Sequence, residues 1–123
     1  MSCNVDFREL DRIAIIELAG KFTLGESCGV IRGAVNQVLA SGQRDILLDL
    51  SRVTYLDSAA GIGELVSSYT TATCKGAHLK LLRPGKNVDR VLRIVGLHKI
   101  FAIFDDEADA VRSFDRRASA TQT

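Results

Sequence analysis

The chain has 123 residues, 46% of them hydrophobic and 25% charged, with a single proline. That length fits one domain and that composition a globular rather than a disordered chain. Sixteen Lys and Arg against fifteen Asp and Glu leave a net charge of +1, which gives no bulk attraction to nucleic acid or anionic lipid and argues against both as partners.

The periodicity of apolar residues orders the chain. Val5 to Leu10 has weak strand character, and Ile13 to Ala19, rich in β-branched residues, has more. Asp11-Arg12 reads as a tight connection, so the pair predicts a hairpin, with Gly20 ending its second strand. Thr23 to Glu26 has the form of a capping box, Thr23 being the N-cap and Glu26 reaching back to it. Leu24, Cys28, Ile31, Val35 and Val38 then lie on one face of an amphipathic helix. Gly25, Gly29 and Gly33 weaken that helix by up to ~1 kcal/mol each, and Ser41-Gly42 ends it. Asp45 to Leu50 is a short apolar run with acidic ends, the pattern of a central strand buried on both faces. Ile62, Leu65, Val66, Tyr69 and Thr73 predict a second helix from Ser58 or Ala60 to Cys74, closed by Gly76. Ala77 to Leu82 reads as a strand ended by the turn pair Pro84-Gly85. Val88, Val91, Leu92 and Val95 mark a third helix, with Asn87 as cap and Gly96 as stop. Ile100 to Phe104 is a further strand. Asp105 and Asp106 open a last helix, where acidic residues suit the dipole, and Ala110, Val111 and Phe114 form its inner face. Residues 116–123 are small and polar and read as a disordered tail, which leaves 1–115 as a single domain.

The order β-β-α-β-α-β-α-β-α predicts an α/β fold. Its sheet is mixed and mostly parallel, with about five strands, an N-terminal hairpin placing one antiparallel strand at an edge, and four helices.

Signatures of catalysis are mostly missing. His78 and His98 are the only histidines, and neither belongs to an HExxH or has a second ligand at metal spacing. There is no G-x-S-x-G elbow. Gly85-Lys86 lacks the upstream glycine of a phosphate loop, and Gly61-Ile62-Gly63 lacks the third glycine of a dinucleotide fingerprint. Cys3, Cys28 and Cys74 are odd in number and far apart, which favours reduced thiols over a disulfide framework or a zinc site. No apolar run approaches the ~18 residues of a membrane span, and Met1 to Asp6 lacks the pattern of a signal peptide. The expectation is a cytoplasmic protein that is not an enzyme, holds no cofactor or metal and does not insert into membranes.

One segment stands apart. It runs from Asp49-Leu50-Ser51 through Asp57-Ser58 to Gly61-Ile62-Gly63, out of a buried strand and into a helix. Asp57 and Ser58 fall at the loop-to-helix junction. Both are favoured N-cap residues, a role worth about 1 kcal/mol, so capping alone accounts for them and function is the other reading.

The segment resembles the signature of STAS domains, most closely that of the small free-standing anti-sigma factor antagonists of bacteria. In that family an apolar strand ends in Asp-Leu-Ser. A short apolar link, Asp-Ser, a small residue, Gly-Leu/Ile-Gly and an apolar helix follow. The element order matches as well, so the resemblance spans nearly all of residues 5–115. Here two residues, Ala59 and Ala60, separate the serine from the first glycine, where the family has one. Aligned from the aspartate, the family's phosphorylated serine falls on Ser58; aligned from the glycines, it falls on Ala59, which has no hydroxyl. The acidic neighbour assigns it to Ser58.

The resemblance implies a partner switch. The unphosphorylated antagonist binds an anti-sigma factor that is itself a serine kinase, which frees the sigma factor and so regulates transcription. Phosphorylation of Ser58 breaks the complex, and a serine phosphatase restores it. The implied docking surface comprises Asp57, Ser58, Ala59 and Ala60. Thr23 and Leu24 adjoin it at the start of the first helix, with Glu64 and Ser68 on the exposed side of the second. For Glu64 a merely solvated face is the other reading. Related STAS modules serve stressosome-like scaffolds or lipid and sulfate transport complexes, which is the alternative role. A small α/β nucleotide-binding enzyme has no motif behind it.

Overall fold

The computed structural model describes residues 3–10, 12–22, 29–56 and 60–122. Strands β1 (Cys3–Leu10) and β2 (Ile13–Phe22) form an antiparallel hairpin in which Leu10 faces Ile13. Arg12 in the connection has φ 68°, the left-handed conformation that a two-residue hairpin turn calls for. β2 pairs in parallel with β3 (Asp45–Leu56), β3 with β4 (His78–Leu82), and β4 with β5 (Ile103–Phe104). The sheet order is β1-β2-β3-β4-β5, with the antiparallel strand at an edge, as the periodicity predicts. The helices are α1 (Val30–Ala40), α2 (Ala60–Cys74), α3 (Lys86–Ile94) and α4 (Glu107–Gln122). A 3₁₀ turn (Leu97–Lys99) follows α3.

Successive strand residues point to opposite faces, so the sheet serves two cores. Ile16, Leu18, Ile46, Leu48 and Leu81 meet α1, α2 and α3 through Ile31, Val35, Leu65 and Leu92. Ile13, Ile15, Leu47 and Leu82 meet α4 through Ala110, Val111 and Phe114. Each of the Ile, Leu, Val and Phe side chains contributes roughly 1.5–3 kcal/mol when fully buried. Two polar ties supplement the α4 core. Lys80 Nζ donates to Ser113 Oγ at 2.8 Å and lies 4.4 Å from the centre of the Phe114 ring. Arg8 on β1 bridges Glu17 and Glu107, each at 2.8 Å.

Several boundaries differ from the predicted ones, each for a local reason. β2 does not end at Gly20 but continues to Phe22. Gly20 has φ 97° and pairs where β3 carries an extra residue, so it accommodates a bulge in the neighbouring strand rather than making a stop. β3 runs past Leu50 to Leu56, and its buried positions become every third residue, Val53 and Leu56. Two register shifts against β2 insert extra residues there and break the two-residue alternation. β5 keeps only Ile103 and Phe104 of the predicted run. Phe101 turns instead to Tyr69, ring edge to ring face at 5.0 Å, and Ile100 is exposed. The inner face of α2 is Ile62, Leu65, Ser68 and Ala72, whereas Val66 and Thr73 are exposed. α3 is capped from Gly85 rather than Asn87, and Val95 is exposed. α4 continues to Gln122, through residues whose composition reads as a tail. Among the described residues, no helix is long and apolar enough to cross a membrane.

Candidate partner-docking site

Thr23, Leu24, Asp57, Ser58 and Ala59, and with them the capping box at 23–26, lie outside the described residues. Their attachments are described. Phe22, the last residue of β2, pairs with Leu56, the last residue of β3. Both side chains are buried. Segments 23–28 and 57–59 therefore depart from neighbouring strand ends. Ala60 opens α2 at the far side of the second segment.

The motif upstream has a local physical reason. Asp49 is buried, and its Oδ1 accepts the Ser51 N–H at 3.0 Å. A side chain that bonds the backbone two residues on competes with a regular ladder. It does so where β3 leaves its two-residue alternation, and thereby helps to aim the strand end that leads to Asp57 and Ser58.

The two segments rejoin regular structure at α1 and α2, and Glu64 ties these helices together. Its Oε2 accepts the Gly29 N–H at 2.5 Å, and its Oε1 accepts the N–H groups of Ile31 at 2.9 Å and Arg32 at 3.2 Å. Gly29 is the N-cap residue of α1, with φ 85° and no side chain to act as a cap. The first N–H groups of a helix lack intrahelical partners and carry partial positive charge. A carboxylate from the neighbouring helix supplies what a Ser, Thr or Asp at position 29 would have supplied. Being half-buried, it acts where water screens the attraction less.

The STAS domain family model matches residues 4–110. The chain belongs to the STAS domain family. An anti-sigma F factor antagonist of Paenibacillus polymyxa is 24% identical to it over 116 residues, which cover 94% of this chain and 97% of that protein. An anti-sigma factor antagonist from Mycobacterium paratuberculosis has a solved structure that superposes with a TM-score of 0.80 at 20% identity, covering 91% and 93% of the two chains. SpoIIAA in its unphosphorylated form superposes with a TM-score of 0.76 at 19% identity, covering 91% and 96%. The phosphorylated form of SpoIIAA, a Bacillus cell fate determinant, gives 0.69 at 18% identity, covering 90% and 99%. These structural likenesses establish a common fold.

In this STAS domain the expectation for the exposed side of α2 needs correction. Ser68 is fully buried, and its hydroxyl has no hydrogen-bond partner among the described residues. Glu64, one turn earlier, is engaged within the chain. α1 packs along α2, and its free N–H groups draw in the Glu64 carboxylate. The sequence reading missed the capping role of Glu64. The one signal for it was a glycine where a helix start usually carries a hydroxyl or carboxylate.

Proposed function

We propose that this STAS domain is an anti-sigma factor antagonist governed by phosphorylation of Ser58. In this reading it binds an anti-sigma factor that is a serine kinase, is released when Ser58 is phosphorylated and is reset by a serine phosphatase. It performs no catalysis of its own. The observation that carries the reading is the match over nearly full length to the Paenibacillus antagonist, joined to the Asp57-Ser58 pair inside the STAS signature.

The electrostatics support it. Phosphoserine adds about −1.5 to −2 charges at neutral pH. The start of a helix tolerates an anion within the free protein. Against a partner surface the same charge, beside Asp57, has to be desolvated and meets a like charge. A coupling of ~3 kcal/mol lowers affinity about a hundredfold. The docking surface in this reading is Asp57, Ser58, Ala59 and Ala60 with Thr23 and Leu24. Glu64 contributes by holding the start of α1 beside them.

Intact-mass measurement after incubation with the cognate anti-sigma factor and ATP tests the proposal. The wild type is expected to gain one phosphate and Ser58→Ala none. Ser58→Asp is expected to bind the anti-sigma factor far more weakly than the wild type does. A protein that gains no phosphate, and whose Ser58→Asp form binds as tightly as the wild type, removes the switch.

A further inference from the structure

β1 forms one edge of the sheet, and every residue from Asn4 to Leu10 on it is exposed or half-buried. An edge strand offers unpaired N–H and C=O groups that proteins either shield or use. Which groups are free follows from the hairpin. A two-residue connection closes on a hydrogen-bonded pair, here Leu10 with Ile13. Such pairs alternate, so Asn4, Asp6 and Arg8 direct their backbone groups to β2. Val5, Phe7 and Glu9 direct theirs outward.

The side chains divide in the same way. Arg8 lies on the α4 face, bonded to Glu107. Phe7 lies on the other face and is 47% exposed. It borders a groove of about 340 Å³ shared with Ala14, Gln37 and Val38. Asp6 is placed directly across from Glu17, a like-charge pair that destabilises a sheet. It has no ion pair among the described residues. Two residues on, the Arg8 side chain is still 39% exposed despite its two carboxylate partners.

We infer that β1 pairs antiparallel with β1 of a second copy of the chain, about a two-fold axis through Phe7. This register sets Phe7 against Phe7 and Val5 against Glu9, and all of these have outward backbone groups. It sets Asp6 of each copy against Arg8 of the other. Those are the non-hydrogen-bonded positions, where Cα atoms approach to ~4.5 Å and side chains are closest. The cation that Asp6 lacks among the described residues of its own chain is thereby supplied by the other. The neighbouring registers are unfavourable. An axis moved by one residue sets Asp6 on Asp6 or Arg8 on Arg8, and one moved to Glu9 sets Glu9 on Glu9. An axis at Val5 pairs only residues 3–7 and leaves Asp6 opposite Asn4, so the register through Phe7 is the one that sets Asp6 against Arg8, and this charge complementarity identifies the occupant as a second copy. The pairing uses the sheet edge, two strands away from β3, and does not depend on the role of Ser58.

One strand pair makes an interface well below ~1,200 Å², so the dimer is weak, with a dissociation constant of about 10–100 µM. Sedimentation velocity across that range is expected to show reversible dimerisation. Amide exchange is expected to show protection at Val5, Phe7 and Glu9 that rises with protein concentration, while Asn4, Asp6 and Arg8 are protected throughout. Phe7→Pro deletes an outward N–H that the hairpin does not use, and Asp6→Lys sets a cation against Arg8 without touching the backbone. Each is expected to weaken dimerisation at least tenfold with unchanged circular dichroism. A wild type that stays monomeric across the range overturns the inference. So does a dimer that either folded variant leaves intact.

Discussion

The two ends of α1 are closed by different means. At its C-terminus Gly42 adopts φ 97°, its N–H reaches the Leu39 carbonyl at 3.1 Å, and the Gln43 N–H reaches that of Val38 at 3.4 Å. Every atom of that closure lies within a few residues of the helix. At the N-terminus Gly29 has no capping group, and the closure comes from Glu64 on α2. A local closure forms whenever the helix forms. A closure borrowed from another helix forms only when α2 is docked. In this molecule α2 begins just after Asp57–Ala59, and α1 begins just after segment 23–28. The start of one helix therefore reports on the position of the other, across the segments that the proposed function uses.

Removing Glu64 is the strongest way to break this asymmetry. Glu64→Ala leaves the N–H groups of Gly29, Ile31 and Arg32 without their carboxylate. Arg32 is exposed, and water recovers part of that loss. Charge-assisted bonds to a partly buried helix start are worth more than neutral ones, so a loss of about 2 kcal/mol is expected. For a domain of this size that lowers the melting temperature by roughly 5–10 °C. Amide exchange is expected to accelerate at Gly29, Ile31 and Arg32 while the C-terminal turn of α1 keeps its protection. A variant that melts with the wild type denies Glu64 the capping role. Because Glu64 also holds the start of α1 beside the proposed docking surface, the same variant is expected to bind the anti-sigma factor more weakly.

Gly42→Ala tests the other end. An L side chain in the left-handed region costs roughly 1–2 kcal/mol, here with nothing within 4 Å of the added Cβ to enlarge it. The expected loss is about 1 kcal/mol, measured by chemical denaturation. Phosphorylation of Ser58 and affinity for the anti-sigma factor are expected to stay at wild-type values, because the hydrogen bonds that close this end stay within residues 37–43. A fall in affinity as large as that of Glu64→Ala would mean that the two ends are not functionally distinct.

The same contrast explains what was legible in the sequence. Ser41-Gly42 reads directly as a helix stop because the closing groups are adjacent in the chain. Ile13 to Ala19 and Asp45 to Leu50 read correctly because each is a nearly continuous apolar run buried on both faces, and the Ala110-Val111-Phe114 face because a helical period marks it. The outer half of β3 did not, since bulges replace its two-residue period by three. The face of α2 did not either. Its buried face includes the small residues Ser68 and Ala72, which carry little hydrophobic signal. For the site, the Asp57-Ser58 signature was legible as a family pattern, whereas its support by Glu64 was not. A carboxylate on an amphipathic helix looks solvated until the helix beside it is in place.

The smallest effect is the one that separates the two ends most cleanly. α1 has 11 residues, so its termini are roughly 16 Å apart at 1.5 Å per residue. Substitutions more than about 7–10 Å apart with no shared partner usually add to within about 0.5 kcal/mol. Glu64→Ala and Gly42→Ala share no hydrogen-bond partner, because one acts on N–H groups and the other on a turn of the chain. The double variant is therefore expected to lose the sum of the single losses, with a coupling below about 0.5 kcal/mol. A larger coupling would mean that loosening one end already frays the helix to the other. α1 would then respond to α2 as a unit, and the change at its start would be felt along its whole length.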